Sequence, residues 1–394
     1  MAIQSRPLIV VSVLGMNQIL AWGSTFYLIA ILAAPIQSET GWSLSNVIAG
    51  PSLGLLCAGL VSLRVGRQIQ RTGGRPVLAM AALLFAAGLA GLAHVSNLAG
   101  YFLAWCVIGV GMGCGLYDAA FATLGRIYRA KARQAITTLT LFGGFASTIC
   151  WPITAALLAQ YGWRQACLAY ACAHAFVSLP LILACIPVDR REERPVDGHE
   201  HAPVRASLTD LRRFLVLATT LTLASAVMSA VSVHIVGLLG SIGLDTTAAV
   251  WLATVIGPSQ VAARLVETGF RGRGHPIWTL LASVSMAGIG LGLLAAQMPL
   301  PALALIAYGA GNGLNSIARG TMPLALFGPD RYPIWMGRLA MPTLISSAAA
   351  PYAASWLIQA YGPTTCLAAL TLAMAAALVG ALTLALDLRA AAPR

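Results

Sequence analysis

The residues with the most chemistry to offer sit in the least polar surroundings. Arg264 lies inside an otherwise apolar run, with Gln260 four residues before it and Glu267 three after. At 3.6 residues per turn the three share one helix face, and Gly257 continues the stripe. An arginine at such depth costs about 2.5–3.5 kcal/mol on insertion scales, which marks it as a site residue with a partner. Its guanidinium is a planar fork that meets a carboxylate through two parallel charge-assisted hydrogen bonds. That carboxylate is either a ligand's or that of Glu267, and one can be traded for the other.

Asp118 and Arg319 form a second pair. Asp118 follows Gly113 by five residues and Arg319 follows Gly313 by six, in matching places of a repeated sequence. A bridge between them would hold one side of the molecule shut; pairing of each within its own half is the alternative. Asn312 and Asn315 share a face with Arg319 and predict a polar wall. Asn17 and Gln18 are the strongly polar residues in the first half of the first apolar run, and Trp22, Tyr27 and Tyr117 could shape a pocket beside them. Asp118 and Glu267 are the acids placed within apolar runs, so either could carry a proton, with His234 as a further titratable candidate. His174, alone on an apolar helix, reads as a hydrogen-bonded structural group.

The surrounding chain has to be a membrane scaffold. Of 394 residues 58% are hydrophobic and 9% charged, against about 25% charged in a soluble domain. Twelve apolar segments can be delimited, at about 7–35, 44–65, 76–95, 99–123, 135–159, 165–187, 213–240, 246–268, 276–297, 301–324, 333–358 and 363–387. The first is too long for a signal peptide's apolar region and is read as a retained span. A charged break at 188–212 reads as a solvated linker between residues 1–187 and 213–394.

The net charge of +12 could suggest nucleic acid, but its distribution argues otherwise: 21 of the 24 basic residues fall in the terminal segments and alternate loops. That is the positive-inside pattern, and it predicts cytoplasmic N- and C-termini. Arg164 falls on the other side, and Arg264 and Arg319 lie within spans. The halves repeat at a shift near 200 residues. Gly109-x-Gly111-x-Gly113 recurs as Gly309-x-Gly311-x-Gly313, Gly50-Pro51-Ser52 as Gly257-Pro258-Ser259, and the Tyr-Gly at Gly162 as that at Gly362. Parallel repeats of this kind mark transporters that rock two halves about a central site. The glycines let helices approach closely. Trp42, Tyr161 and Trp163 at span ends suit an interfacial belt, and Pro152 and Pro351 predict kinks.

The twelve spans, the repeat, the central loop and the basic second loop together resemble the major facilitator superfamily. Gly66-Arg-Gln-Ile-Gln70-Arg71-Thr-Gly73-Gly74-Arg75 resembles that superfamily's Gly-x-x-x-Asp-Arg-x-Gly-Arg-Arg motif. Gln70 stands where the motif has its aspartate, which in the superfamily joins a cytoplasmic charge relay locking the outward-facing state; Gly74 replaces a basic residue. The implied fold is all-α, with twelve transmembrane helices in two pseudo-symmetric six-helix bundles. Two stretches are similar to the monocarboxylate transporter and oxalate/formate antiporter group: Gly41-Trp42-Ser43 before the second span, and Arg264, which stands where that group carries its carboxylate-binding arginine. Departures are Gln260 in place of an acid and the missing lysine of the first span.

The expected function is secondary active transport of a small organic anion, a monocarboxylate coupled to protons, across the inner membrane by a monomer. Its alternative is a proton-driven efflux pump for drugs or metabolites, or for arsenite or organoarsenicals held by thiolates. The eight cysteines show no Cys-x-x-Cys pair, and read more plainly as small apolar fillers. A membrane sensor is a further class within this fold. No nucleotide loop, metal cluster or nucleophile–base pattern suggests an enzyme, a cofactor or a nucleic-acid partner.

Overall fold

Backbone groups in hydrocarbon must bond within their own segment, so an apolar chain of this composition has to be helical. The computed structural model describes residues 7–188, 207–269 and 274–391, and they are helical almost throughout. The basic residues expected at 6, 190, 191, 194, 205, 271, 273 and 394, and most of the linker, lie outside the described residues. In chain order the helices are α1 (Pro7–Gly23), α2 (Leu28–Thr40), α3 (Leu44–Thr72), α4 (Gly74–Ala93), α5 (Leu98–Gly115), α6 (Tyr117–Tyr128), α7 (Ala132–Gly144), α8 (Ala146–Ala173) and α9 (Leu179–Cys185). There follow α10 (Leu208–Ser241), α11 (Thr246–Ala253), α12 (Ile256–Gly269), α13 (Pro276–Ala295), α14 (Pro301–Phe327), α15 (Tyr332–Tyr361) and α16 (Pro363–Ala390).

Eight stretches are long and apolar enough to cross a membrane by length and composition, and one of them, Leu98–Cys185, holds α5 to α9. The chain is therefore an all-α, multi-pass membrane protein. Helix starts are capped as the sequence dictates: Ser43, Asn97 and Asp245 accept from backbone N–H groups, and Ser207 with Asp210 makes a capping box. Gly162, at φ 81°, is the non-helical residue at which α8 turns back on itself. The prolines do not end the helices: α8 runs on through Pro152 and α15 through Pro342 and Pro351.

Buried apolar side chains form two clusters. One is drawn from α1–α9 with Leu324, Tyr332, Met336 and Ala348 added, the other from α10–α16. The repeated glycines do equivalent work in each. A Cβ on Gly109 would lie 2.3 Å from the Gly54 carbonyl oxygen, and one on Gly113 2.9 Å from that of Ala58, which presses α5 against α3. In the second half, a Cβ on Gly309 would lie 2.7 Å from the Ile256 oxygen and one on Gly313 2.4 Å from the Gln260 oxygen, and their absence lets α14 press against α12.

The halves meet most tightly along α3 and α15. Gly66 and Gly337 stack backbone on backbone, and the Ser62 hydroxyl donates to the Gly337 oxygen at 3.0 Å. Toward the basic loops, Gln70 donates through Nε2 to the Asp330 oxygen at 2.8 Å, Arg129 pairs with Asp330 at 2.5 Å, and Arg126 donates to the Gln70 oxygen. A glutamine thus makes by hydrogen bonds a cross-half contact in the motif that otherwise carries an aspartate. Further contacts between the halves are those of Arg133 with the Gly274 oxygen, Asp118 with Arg319, and Arg264 with the Thr140 oxygen.

Candidate functional site

Three helix interruptions set the site. A turn at 24–27 between α1 and α2, the extended Leu116 between α5 and α6, and a turn at 254–255 between α11 and α12 interrupt otherwise apolar helical stretches. In a bilayer such breaks are tolerated where side chains re-satisfy the freed groups. Gln18 does so for α5, donating through Nε2 to the Gly115 oxygen at 2.7 Å, while its own oxygen accepts from Trp22 Nε1 at 3.2 Å. Asn17 accepts from the Ser178 hydroxyl at 2.6 Å. A π-helical turn at His174–Ser178 aims both of its polar residues at α1, and His174 Nε2 meets the Ser24 hydroxyl at 2.8 Å. The amide of Gln18 and the side-chain oxygen of Asn17 are thereby engaged in holding α1.

The Leu116 break starts α6 at Tyr117, so Asp118 stands in its first turn, where the helix dipole favours an anion. Arg319 on α14 meets it with both edges of the fork: Nε to Oδ1 at 2.8 Å and Nη2 to Oδ2 at 2.7 Å. Nη2 also donates to the Thr343 hydroxyl at 2.8 Å, and that hydroxyl, fully buried, rests on the Leu339 and Ala340 carbonyls. Both side chains of the pair are 16% exposed. The bridge ties α6 to α14 and, through Thr343, to α15. A cavity of about 10 Å³ beside Asp118, walled by Ser62, Gly113 and Gly337, has room for roughly one water. Thr343→Val keeps the ion pair but deprives Nη2 of its second partner; the expected outcome in a transport assay is a fall in rate of about 10- to 100-fold, the worth of one hydrogen bond to a charged group.

Arg264 is 6% exposed. Its Nε donates to the Gly313 oxygen and its Nη1 to the Thr140 oxygen, each at 3.2 Å, so it reaches from α12 to α14 and across to α7. The approach is possible because Gly144 carries no side chain: a Cβ there would lie 2.3 Å from Nη1. No carboxylate pairs with it among the described residues, and Nη2 makes no hydrogen bond there. Tyr117 donates to the same Thr140 oxygen at 3.3 Å, and Tyr27 and Tyr117 both lie within electrostatic reach of the guanidinium. Trp22 packs on Tyr117 at 5.3 Å and on Phe26 at 5.6 Å, and Tyr27 on Trp151 at 6.1 Å, giving the arginine an aromatic flank.

Several candidate residues meet partners other than those the sequence suggests. Glu267 does not face Arg264; it accepts from Thr279 at 2.7 Å and acts electrostatically on Arg133. A residue three on in a helix is rotated by about 60°, and here that takes Glu267 to α13. His234 binds the Pro351 oxygen at 2.9 Å and the Ser355 hydroxyl at 3.2 Å, away from Asp118 and Arg264 and within its own half. Trp163, expected in an interfacial belt, is 2% exposed and donates to Glu39, which Arg164 also pairs with at 2.9 Å. Glu39, near the end of α2, is thus an acid with two partners that lies outside the apolar runs delimited in the sequence. Asn315 is buried with Oδ1 unpartnered, and the half-buried Asn312 and Gln260 make no side-chain hydrogen bond among the described residues.

The site is a part-buried cross-half ion pair and a buried guanidinium without a carboxylate partner among the described residues, set at helix interruptions, the constitution of a membrane transporter. Residues 14–318 match the family model of the Major Facilitator Superfamily, and the chain belongs to that superfamily. No curated protein sequence matches it significantly. Among solved structures, the human organic anion transporter TETRAN aligns with a TM-score of 0.76 at 15% identity, over 95% of this chain and 99% of its own. The superfamily transporter FucP, in its outward conformation, gives 0.74 at 15% identity over 95% and 98%, and it is described elsewhere as the E. coli fucose:proton symporter. The proton:xylose symporter XylE gives 0.73 at 12% identity over 96% and 95%. At such identities the likeness is one of fold.

Proposed function

We propose that the protein moves a small organic anion, a monocarboxylate, by proton-coupled alternating access, as in the monocarboxylate transporter and oxalate/formate antiporter group. The observation that carries this reading is the unpaired Arg264. Asp118 neutralises Arg319, Glu267 is turned to Thr279 and Arg133, and one buried guanidinium is left with two backbone carbonyls. Burying an uncompensated charge is costly, and a ligand carboxylate on Nη2 supplies the missing counter-charge. Asn312, Asn315, Gln260 and Tyr117 offer further polar contacts, and Trp22 flanks the apolar body of the ligand.

In the proposed arrangement the helices make twelve crossings in two six-span bundles, residues 1–187 and 213–394, joined by a cytoplasmic linker at 188–212. Both termini are cytoplasmic and the membrane is the inner one, with the monomer as the working unit. The contacts at the basic-loop end then seal the cytoplasmic side, the closure expected of an outward-facing state. Asp118 is the proton carrier: protonation cancels its charge, frees Arg319 and loosens α6 from α14, which opens that side. The test uses proteoliposomes and a panel of radiolabelled organic acids under an imposed proton gradient. Wild type is expected to accumulate at least one acid. Asp118→Asn, which keeps an oxygen for Arg319 but cannot carry the proton, is expected to exchange that acid across the membrane without accumulating it. Gradient-driven accumulation by the variant removes Asp118 from the coupling.

A further inference from the structure

Outside the central site, a groove of about 290 Å³ runs between α10 and α16 on the surface of the helix assembly. Leu215, Val216, Thr219, Ala376, Gly380 and Thr383 line it. Its floor exists because Gly380 lacks a side chain: a Cβ there would lie 2.3 Å from the Thr220 hydroxyl. The large side chains beside it, Leu215, Val379, Leu382 and Leu386, are 46–64% exposed, so in a bilayer the groove opens onto acyl chains and not onto water.

The end of the groove toward the basic loops is charged. One helical turn beyond Leu215 and Val216 stands Arg212, and one turn beyond Thr383 stands Asp387; they pair loosely, at 3.4 Å, with Arg212 64% exposed. Arg213 follows directly, its Nε buried without a hydrogen-bond partner and its guanidinium without an ion pair among the described residues. Arg389, two residues past Asp387, lies over the Trp278 ring at 5.5 Å. Arg389 is thus turned toward α13, and two consecutive arginines on α10 stand with one carboxylate at the depth where α10 leaves the apolar region. An apolar trough with a surplus of arginine at its mouth has the shape and sign of one phospholipid with an anionic headgroup.

We infer that this groove is a binding site for an anionic phospholipid. Its phosphate sits on Arg212 and Arg213, and one acyl chain lies along Thr219, Ala376 and Gly380. Such a lipid would fasten α10, the first helix after the linker, to α16, the last of the chain. It would act on the second half of the transporter without entering the central site.

The test is photolabelling of the full-length protein in lipid nanodiscs. Phosphatidylglycerol and phosphatidylcholine analogues carry a photoreactive group in one acyl chain, and the labelled peptides are mapped by mass spectrometry. Phosphatidylglycerol is expected to label the 215–220 and 376–383 segments at least about 5-fold more than phosphatidylcholine, the preference one basic residue at a membrane surface gives. Arg212→Gln with Arg213→Gln should remove that excess while labelling of other segments stays unchanged. Ala376→Phe, at an exposed position where misfolding is not at issue, should reduce labelling by both lipids. Millimolar inorganic phosphate should leave the labelling intact. Equal labelling by the two lipids, a phosphatidylglycerol excess that survives the double substitution, labelling indifferent to Ala376→Phe, or displacement by free phosphate would each overturn the assignment.

Discussion

Asp118→Ala and Arg319→Ala are each expected to lower transport more than 100-fold, and the reversed pair Asp118→Arg with Arg319→Asp to recover part of it. Removing one member of the bridge leaves the other charge 16% exposed and without its partner, and breaking a buried pair in this way costs about 3–5 kcal/mol. The singles should therefore lose thermal stability as well as rate. Reversal restores the Coulombic attraction and the cross-half link, but it places a cation in the first turn of α6, against the helix dipole. It also leaves the Thr343 hydroxyl facing a carboxylate, to which it can donate only by giving up its bonds to Leu339 and Ala340. Recovery to about a tenth of the wild-type rate fits those two penalties, each worth roughly 0.5–1.5 kcal/mol. A reversed pair no better than either single substitution would show that the two residues act separately.

Arg264 behaves differently, because its partners in the protein are two backbone carbonyls and no carboxylate. Arg264→Gln is expected to abolish transport, with a fall in kcat/KM above about 100-fold, the worth of a bidentate charge-assisted contact. The same substitution should leave the melting temperature unchanged or raise it, since it removes a buried charge whose partners are two carbonyls at 3.2 Å. Arg264→Lys keeps the charge and loses the fork, and should retain activity reduced about 10- to 30-fold. Loss of rate together with loss of stability in Arg264→Gln would instead describe a structural arginine. Uptake assays and thermal denaturation of the purified variants separate the two.

Much of this was legible in the sequence, for reasons that can be named. Helicity follows from composition, because apolar runs in lipid have no other way to satisfy their backbone. Juxtaposition of Asp118 and Arg319 was readable from the repeat, since equivalent positions after Gly113 and Gly313 come to equivalent depths. The helix breaks were not readable. Leu116, 24–27 and 254–255 carry no proline, whereas helix runs on through Pro152, Pro342 and Pro351, which look like breakers. The breaks are decided by tertiary partners such as Gln18 on the Gly115 carbonyl, 97 residues away. The same limit applies to Glu267 and Trp163. Helix periodicity assigns a face, but only the packing of α13 and α2 decides that Glu267 meets Thr279 and that Trp163 meets Glu39. Gln70 shows the converse: the motif's missing aspartate is visible in the sequence, and the hydrogen bond that the Gln70 amide donates to the Asp330 carbonyl is not.

The central claim is that Arg264 leaves the site short of one negative charge. The most direct test is a thermal-shift comparison of purified wild-type protein with organic acids and with the neutral amide of each acid, repeated on Arg264→Gln. An acid present at about 100 times its Kd adds roughly 2.7 kcal/mol to the stability of the state it binds, a shift of a few degrees in Tm. The account predicts that shift for at least one carboxylate, none for its amide, and none for either in Arg264→Gln. Equal shifts from acid and amide, or a carboxylate shift that persists in Arg264→Gln, would contradict it.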